Sequence, residues 1–105
     1  MEDVRNAAPE RYMTRGRETI DRIRDVCHAS CRDAWDAEES FLAWCIGQAI
    51  KYADRDGAKG DRAGDLEKLR FYQDMVKHIA GAGPDPRSSR PGFVPYTPQP
   101  IDEAE

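Results

Sequence analysis

The sequence predicts a small all-α domain of three helices, followed by an extended, proline-rich C-terminal tail. Three observations carry that prediction. Apolar residues recur at steps of three and four in three separate stretches, the period of a helix with one buried face. Gly-rich polar breaks follow the second and third of those stretches. Six of the seven prolines lie between Pro84 and Pro100, after the periodicity has stopped. No alternating strand pattern occurs, so no sheet is expected. The implied organisation is an N-terminal arm over residues 1–11, a helical domain over 12–83 and a tail over 84–105.

The arm is polar, acidic and without periodicity, unlike a secretory signal. The first helix is expected from about Arg17 to about Ala34, on the stripe Ile20, Ile23, Cys27, Cys31 and Ala34 with Val26 alongside. Asp36 is the expected N-cap of the second helix, with Glu38 and Glu39 in its first turn, where the helix dipole favours acids. That helix has one face of Leu42, Cys45, Ile46, Ala49, Ile50 and Ala53, and a second apolar edge of Phe41, Trp44 and Tyr52. It is expected to end near Asp56, ahead of Gly57 and Gly60. Asp61 or Asp65 can cap the third helix, whose stripe is Leu66, Leu69, Tyr72, Val76, Ile79 and Ala80, with Phe71 and Met75 beside it. Gly81, Gly83 and Pro84 stop it. The tail is polyproline-like, with Phe93, Val94, Tyr96 and Ile101 as apolar anchors for packing on its own domain or on a neighbouring subunit.

Discounting the tail leaves roughly 80 residues, a size whose thin core commonly leans on a partner chain. A homo-oligomer is therefore expected. The net charge of −4 argues against general nucleic-acid binding, although a local basic patch stays open. No apolar run approaches the roughly 20 residues of a membrane span. A cytoplasmic location follows, with Cys27, Cys31 and Cys45 as reduced, partly buried thiols.

Chemistry-bearing residues concentrate between Gly47 and Tyr72. Lys51 and Arg55 are i and i+4 on the second helix and share a face. Lys59 falls in the turn and Lys68 early in the third helix. Two or three cations beside the backbone N–H groups of a helix start make an anion site. Tyr52 stands ready to stack on a base or to fill the core edge. The plainer reading is a solvated charged face. Asp54, Asp56 and Asp65 fit positions of a calcium loop, but Ala58 and Lys59 break its critical turn. These acids leave room for a magnesium ion beside a phosphate ligand, and no cofactor is otherwise implied. Cys27, His28 and Cys31 form a Cys-His-x-x-Cys run that lacks two ligands of a closed zinc site. No Gly-x-x-x-x-Gly-Lys-Ser/Thr phosphate loop exists, which excludes a conventional P-loop kinase.

Two blocks resemble a known family. Tyr12-x-x-x-Gly16-x-Glu18-x-x-Asp21 is similar to an opening HYxxGGIExID. Gly47-Gln48-Ala49-Ile50-Lys51-Tyr52, then Arg55, Lys59, Asp65-Leu66-Glu67-Lys68 and Tyr72, is similar to GNAIKYxxR…K…DLEKAxxY. Both belong to the short phage family catalogued as domain of unknown function 3310, which includes part of a podovirus nucleotide kinase. The resemblance spans about Tyr12 to Ala80. Arg11 stands in place of the family's histidine, Arg15 in place of the first paired glycine and Gln48 in place of asparagine. The tail lies outside it.

The resemblance implies a nucleotide-type ligand. Lys51, Arg55 and Lys59 would contact phosphate oxygens, and Tyr12 or Tyr52 a base or ribose. Glu18 and Asp65 would orient the cations or a magnesium ion. Gly16, Gln48 and Lys68 complete the expected ligand-binding set. The favoured function is a phage-encoded nucleotide-binding protein that sequesters a nucleotide, or a nucleotide signal of host defence, in the host cytosol. A non-P-loop nucleoside monophosphate kinase is the second reading, favoured by the resemblance and disfavoured by Arg11. A helical module that binds a host protein through the apolar edge and the tail is the third.

Overall fold

The computed structural model describes residues 13–14, 17–55, 58 and 60–101. The arm therefore lies outside the described residues, as do Tyr12, Gly16 and Lys59. The chain is all-α, with three helices and an extended, proline-rich tail. Helix α1 runs Thr19–Ser30, α2 Ala34–Arg55 and α3 Arg62–Ile79. Ahead of α1, strands β1 (Met13–Thr14) and β2 (Arg17–Glu18) form a two-residue antiparallel ladder, pairing Met13 with Glu18 and Thr14 with Arg17. The expectation of no strand missed it, because two residues a side cannot display an alternating pattern.

Local chemistry sets the helix ends. Helix α1 is shorter than its periodicity suggested, and residues 31–33 form a bend. Asp33, not Asp36, starts α2. Its carboxylate accepts the Asp36 N–H at 2.9 Å while its carbonyl accepts Ala37 N–H at 3.1 Å. Asp36 is left in the first turn. Asp61 caps α3 by accepting the Gly64 N–H at 2.9 Å. At the other end Ala82 N–H bonds to Lys77 O at 2.8 Å and Gly81 N–H to His78 O at 3.0 Å, with Gly81 at φ +79°. This is a Schellman ending, and its left-handed residue is the one type that enters that region without a steric cost.

Two compact units divide the chain: residues up to Phe41 together with those from Arg87 onward, and Leu42–Pro86. In the second unit the aromatic edge of α2 faces α3. Trp44 meets Tyr72 edge-on at 5.7 Å, and Tyr52 stacks on Tyr72 at 6.0 Å. Of the aliphatic face expected to be buried, Cys45 is fully buried, but Ile46 and Ile50 stay 42% and 56% exposed, so that face is buried on one edge only. A helix apolar on two sides gives periodicity no means of choosing between them.

The first unit replaces much of an apolar core with charge. The buried residues of α1 are Arg24 and Asp25, whereas Ile20, Ile23 and Cys27 are half-buried and Val26 is exposed. Arg87 is buried with them. Residues 87–101 have no helix or strand and cover this charged face of α1 as a strap.

Candidate anion-binding site

In the second unit α2 and α3 form an antiparallel hairpin, and the site lies near its closed end. Lys51, Tyr52 and Arg55 occupy the last turns of α2, while Asp65, Lys68 and Tyr72 occupy the first turns of α3 at steps of three and four. Asp65 is 1% exposed, and one of its oxygens accepts Arg55 Nη2 at 2.6 Å and Nε at 2.8 Å. Asp65 is thus not the cap that its position allowed; it faces inward and fixes the guanidinium. That hydrogen bond raises the Arg55 pKa above its ordinary value, so Arg55 is a permanent cation.

Tyr52 is the centre of the cluster. Lys51 Nζ lies 5.0 Å from its ring centroid, Arg55 Cζ 5.0 Å and Lys68 Nζ 5.4 Å. Such placements are cation–π contacts, each about 0.5–1 kcal/mol where exposed. Among the described residues neither Lys51 nor Lys68 is in an ion pair. Gln48 is half-buried one turn earlier on α2. Three cations surround the Tyr52 ring, one of them, Arg55, is held by a buried carboxylate, and the Tyr52 and Tyr72 rings are inclined by only 6°. The arrangement suits an anion that carries a planar group.

Of the remaining expected site residues, Tyr12, Gly16 and Lys59 lie outside the described residues. Glu18 belongs to the first unit, where it accepts Arg87 and Arg90, each at 3.0 Å. Arg87 also reaches Asp21 at 2.9 Å. Asp25 is 0% exposed; it accepts Arg17 Nε at 2.8 Å, Arg17 Nη2 at 3.1 Å, the Tyr96 hydroxyl at 2.7 Å and the Gln99 N–H at 3.1 Å. Burial alone would raise its pKa, but these donors outweigh burial and hold it below the ordinary carboxylate value. The same burial, with Asp25 beside it, pushes Tyr96 well above a free phenol.

Arg24 forks onto Glu38, His28 Nε2 meets the same carboxylate at 2.8 Å, and the Arg24 guanidinium lies 4.1 Å over the Tyr96 ring. Glu38 is driven up by burial and down by Arg24 and His28, with the lowering dominant. The signal for this cluster was present in Asp21, Arg24, Asp25 and His28, which recur at helical spacing on α1. Charges at that spacing ordinarily read as a solvated face.

Burial, followed by the neighbouring Cys31 and Glu38, raises the Cys27 pKa, which keeps this thiol protonated rather than nucleophilic. Among the described residues no group of three His, Cys, Asp or Glu side chains is placed to hold a metal ion. No helix among them is long and apolar enough to cross a membrane.

A family model described as "protein of unknown function (DUF3310)" matches residues 7–74. No curated protein and no solved structure matches the chain.

Proposed function

The chain belongs to the family of proteins of unknown function DUF3310, and from that membership and the geometry of α2 and α3 we propose that it is a small nucleotide-binding protein. Lys51, Arg55 and Lys68 hold the phosphate, and Tyr52 takes the planar part of the ligand. The observation that carries this reading is the convergence of three cations within 5.4 Å of one tyrosine ring, with Asp65 buried beneath Arg55. A solvated charge run would need no buried acid to fix one of its members. Gln48 joins the site as a neighbour on α2. Lys59 is added on the family motif alone, Tyr12, Gly16 and Glu18 stay as expectations of that motif and are not part of the α2–α3 cluster, and any magnesium ion would arrive with the phosphate ligand. In the finer form of the proposal the protein is phage-encoded, acts in the host cytosol, and withholds a nucleotide or a nucleotide signal of host defence.

Titration calorimetry against nucleoside mono-, di- and cyclic phosphates tests the reading. Binding of one class, weakened in Lys51→Ala, supports it. Absence of heat with every class overturns it. Incubation with ATP and each deoxynucleoside monophosphate separates holding from turnover, since a kinase would release the diphosphate.

A second reading rests on the exposure of Trp35, Ile46 and Ile50. Apolar side chains of that size outside the core suit a helical module that docks a host protein. Pulldown that survives Lys51→Ala but fails with Ile46→Asp would favour it over nucleotide binding.

A further inference from the structure

The face of α1 beneath residues 87–101 has the build of a receptor for an extended chain. Arg87 is 3% exposed and sits between Glu18 and Asp21. Arg90 takes the other oxygen of Glu18. Tyr96 lays its ring on Arg24 and gives its hydroxyl to Asp25, and the Gln99 N–H reaches the same oxygen. Arg17 holds the Thr97 carbonyl at 3.0 Å. A basic and tyrosine-bearing strap is thus read by an acidic groove at both ends. Among the described residues, the backbone bonds inside the strap are turn bonds, Arg90 N–H to Arg87 O and Phe93 N–H to Arg90 O. Its position is set by the groove, not by secondary structure of its own. The fit also leaves one groove donor, Arg24 Nη1, buried without an acceptor.

We propose that this groove is exchangeable between copies: residues 87–101 of a second copy take the place of the chain's own strap, joining two chains by mutual exchange. The occupant follows from the contacts themselves. The groove already matches the spacing of Arg87, Arg90, Tyr96 and Gln99, and another copy carries the identical segment. Exchange remakes every strap contact, so those contacts cancel between the two arrangements. What decides is the loss of freedom on association and the state of the hinge. That hinge is residues 81–86. Gly81, at φ +79°, ends α3, and Pro84 and Pro86 bias Gly83 and Asp85 toward extended backbone. The proposal is independent of the nucleotide site, which lies in the other unit.

A fluorescein-labelled peptide of residues 84–101, followed by anisotropy, tests it on full-length chains. The Arg87→Ala/Tyr96→Phe chain, with a weakened strap over an intact groove, is expected to bind the peptide at least ten-fold more tightly than the wild type. In parallel, that chain is mixed with full-length Glu18→Gln/Asp21→Asn, which has a damaged groove and a sound strap. Native mass spectrometry is expected to show a mixed dimer. Peptide affinities within two-fold of each other, or no binding to either chain, overturn the proposal. So does a mixture that contains no mixed dimer even though the peptide binds. If Arg87→Ala/Tyr96→Phe loses its helical circular dichroism, Tyr96→Phe alone replaces it, because the ring over Arg24 is retained and only the bond to Asp25 is lost.

Discussion

Replacing Asp25 with asparagine tests whether a charged cluster takes the place of an apolar core in the first unit. The carboxylate is fully buried and serves four donor contacts from three residues. Asparagine keeps the shape but removes the charge and turns an N–H group toward one of those donors. Removing one partner of a buried ion pair costs about 3–5 kcal/mol. The Arg17 side chain is 27% exposed, so water recovers part of its loss and the expected cost is near the lower end, about 3 kcal/mol. Tyr96→Phe removes one hydrogen bond to a charged group and leaves Asp25 its other donors, so it should cost about 1.5–2 kcal/mol. Urea unfolding followed at 222 nm measures both. With a slope of about 1.5 kcal/mol per molar, Asp25→Asn shifts the midpoint by about 2 M and Tyr96→Phe by about 1 M. Trypsin gives a local readout, because the bond after Arg87 is protected only while the strap is seated. An Asp25→Asn chain that unfolds within about 0.5 M of the wild type and resists cleavage after Arg87 would refute the charged-core reasoning.

Three further outcomes follow. At the anion site, Lys51→Ala should weaken binding of a nucleoside phosphate by about ten-fold, the worth of one charge-assisted contact, and the loss should shrink as salt is raised; calorimetry at two ionic strengths measures it. Two glycines should part company in thermal unfolding. A Cβ on Gly47 meets nothing within 4 Å, so Gly47→Ala should gain about 0.5–1 kcal/mol from helix propensity. At Gly64 the same Cβ would collide with the Asp61 carboxylate, so displacement of the cap should cancel that gain or reverse it. In acid, Asp25 and Glu38 both have depressed pKa values. Their contribution is present above the unfolded carboxylate range and is lost as pH falls through the folded values. Stability and protection of Arg87 should therefore hold at neutral pH and fail below about pH 4. Proteolysis across a pH series with an acid-tolerant protease checks the sign.

How far the sequence could be read depended on whether a signal was local. The Schellman ending at Gly81, the stop at Pro84 and the end of α2 before Gly57 depend on a few neighbouring residues, and all were legible. The start of α2 was missed because Asp33 and Asp36 are equally good caps in isolation, and the bend after α1 selects between them. Lys51, Arg55 and Lys68 were legible as a group through their spacing and the family motif. Their convergence on Tyr52 was not, since it needs α3 folded back along α2. Asp65 shows the same limit: its position near a helix start suggests a cap, and only the hairpin reveals it as the buried partner of Arg55.

By itself, then, the sequence determined three helices, their approximate ends, an extended proline-rich segment and a cationic run with an aromatic in its midst. These follow from periodicity, capping and the stereochemistry of glycine and proline, which act over a few residues. Tertiary structure decided which side of α2 is inner, that Arg24, Asp25 and Arg87 are buried, and that the tail is a strap. Those outcomes turn on pairings such as Arg87 with Glu18 and Tyr96 with Asp25, which join residues about seventy positions apart. Burial of a charge is tolerable only when the fold holds a partner against it, and no local pattern records that placement.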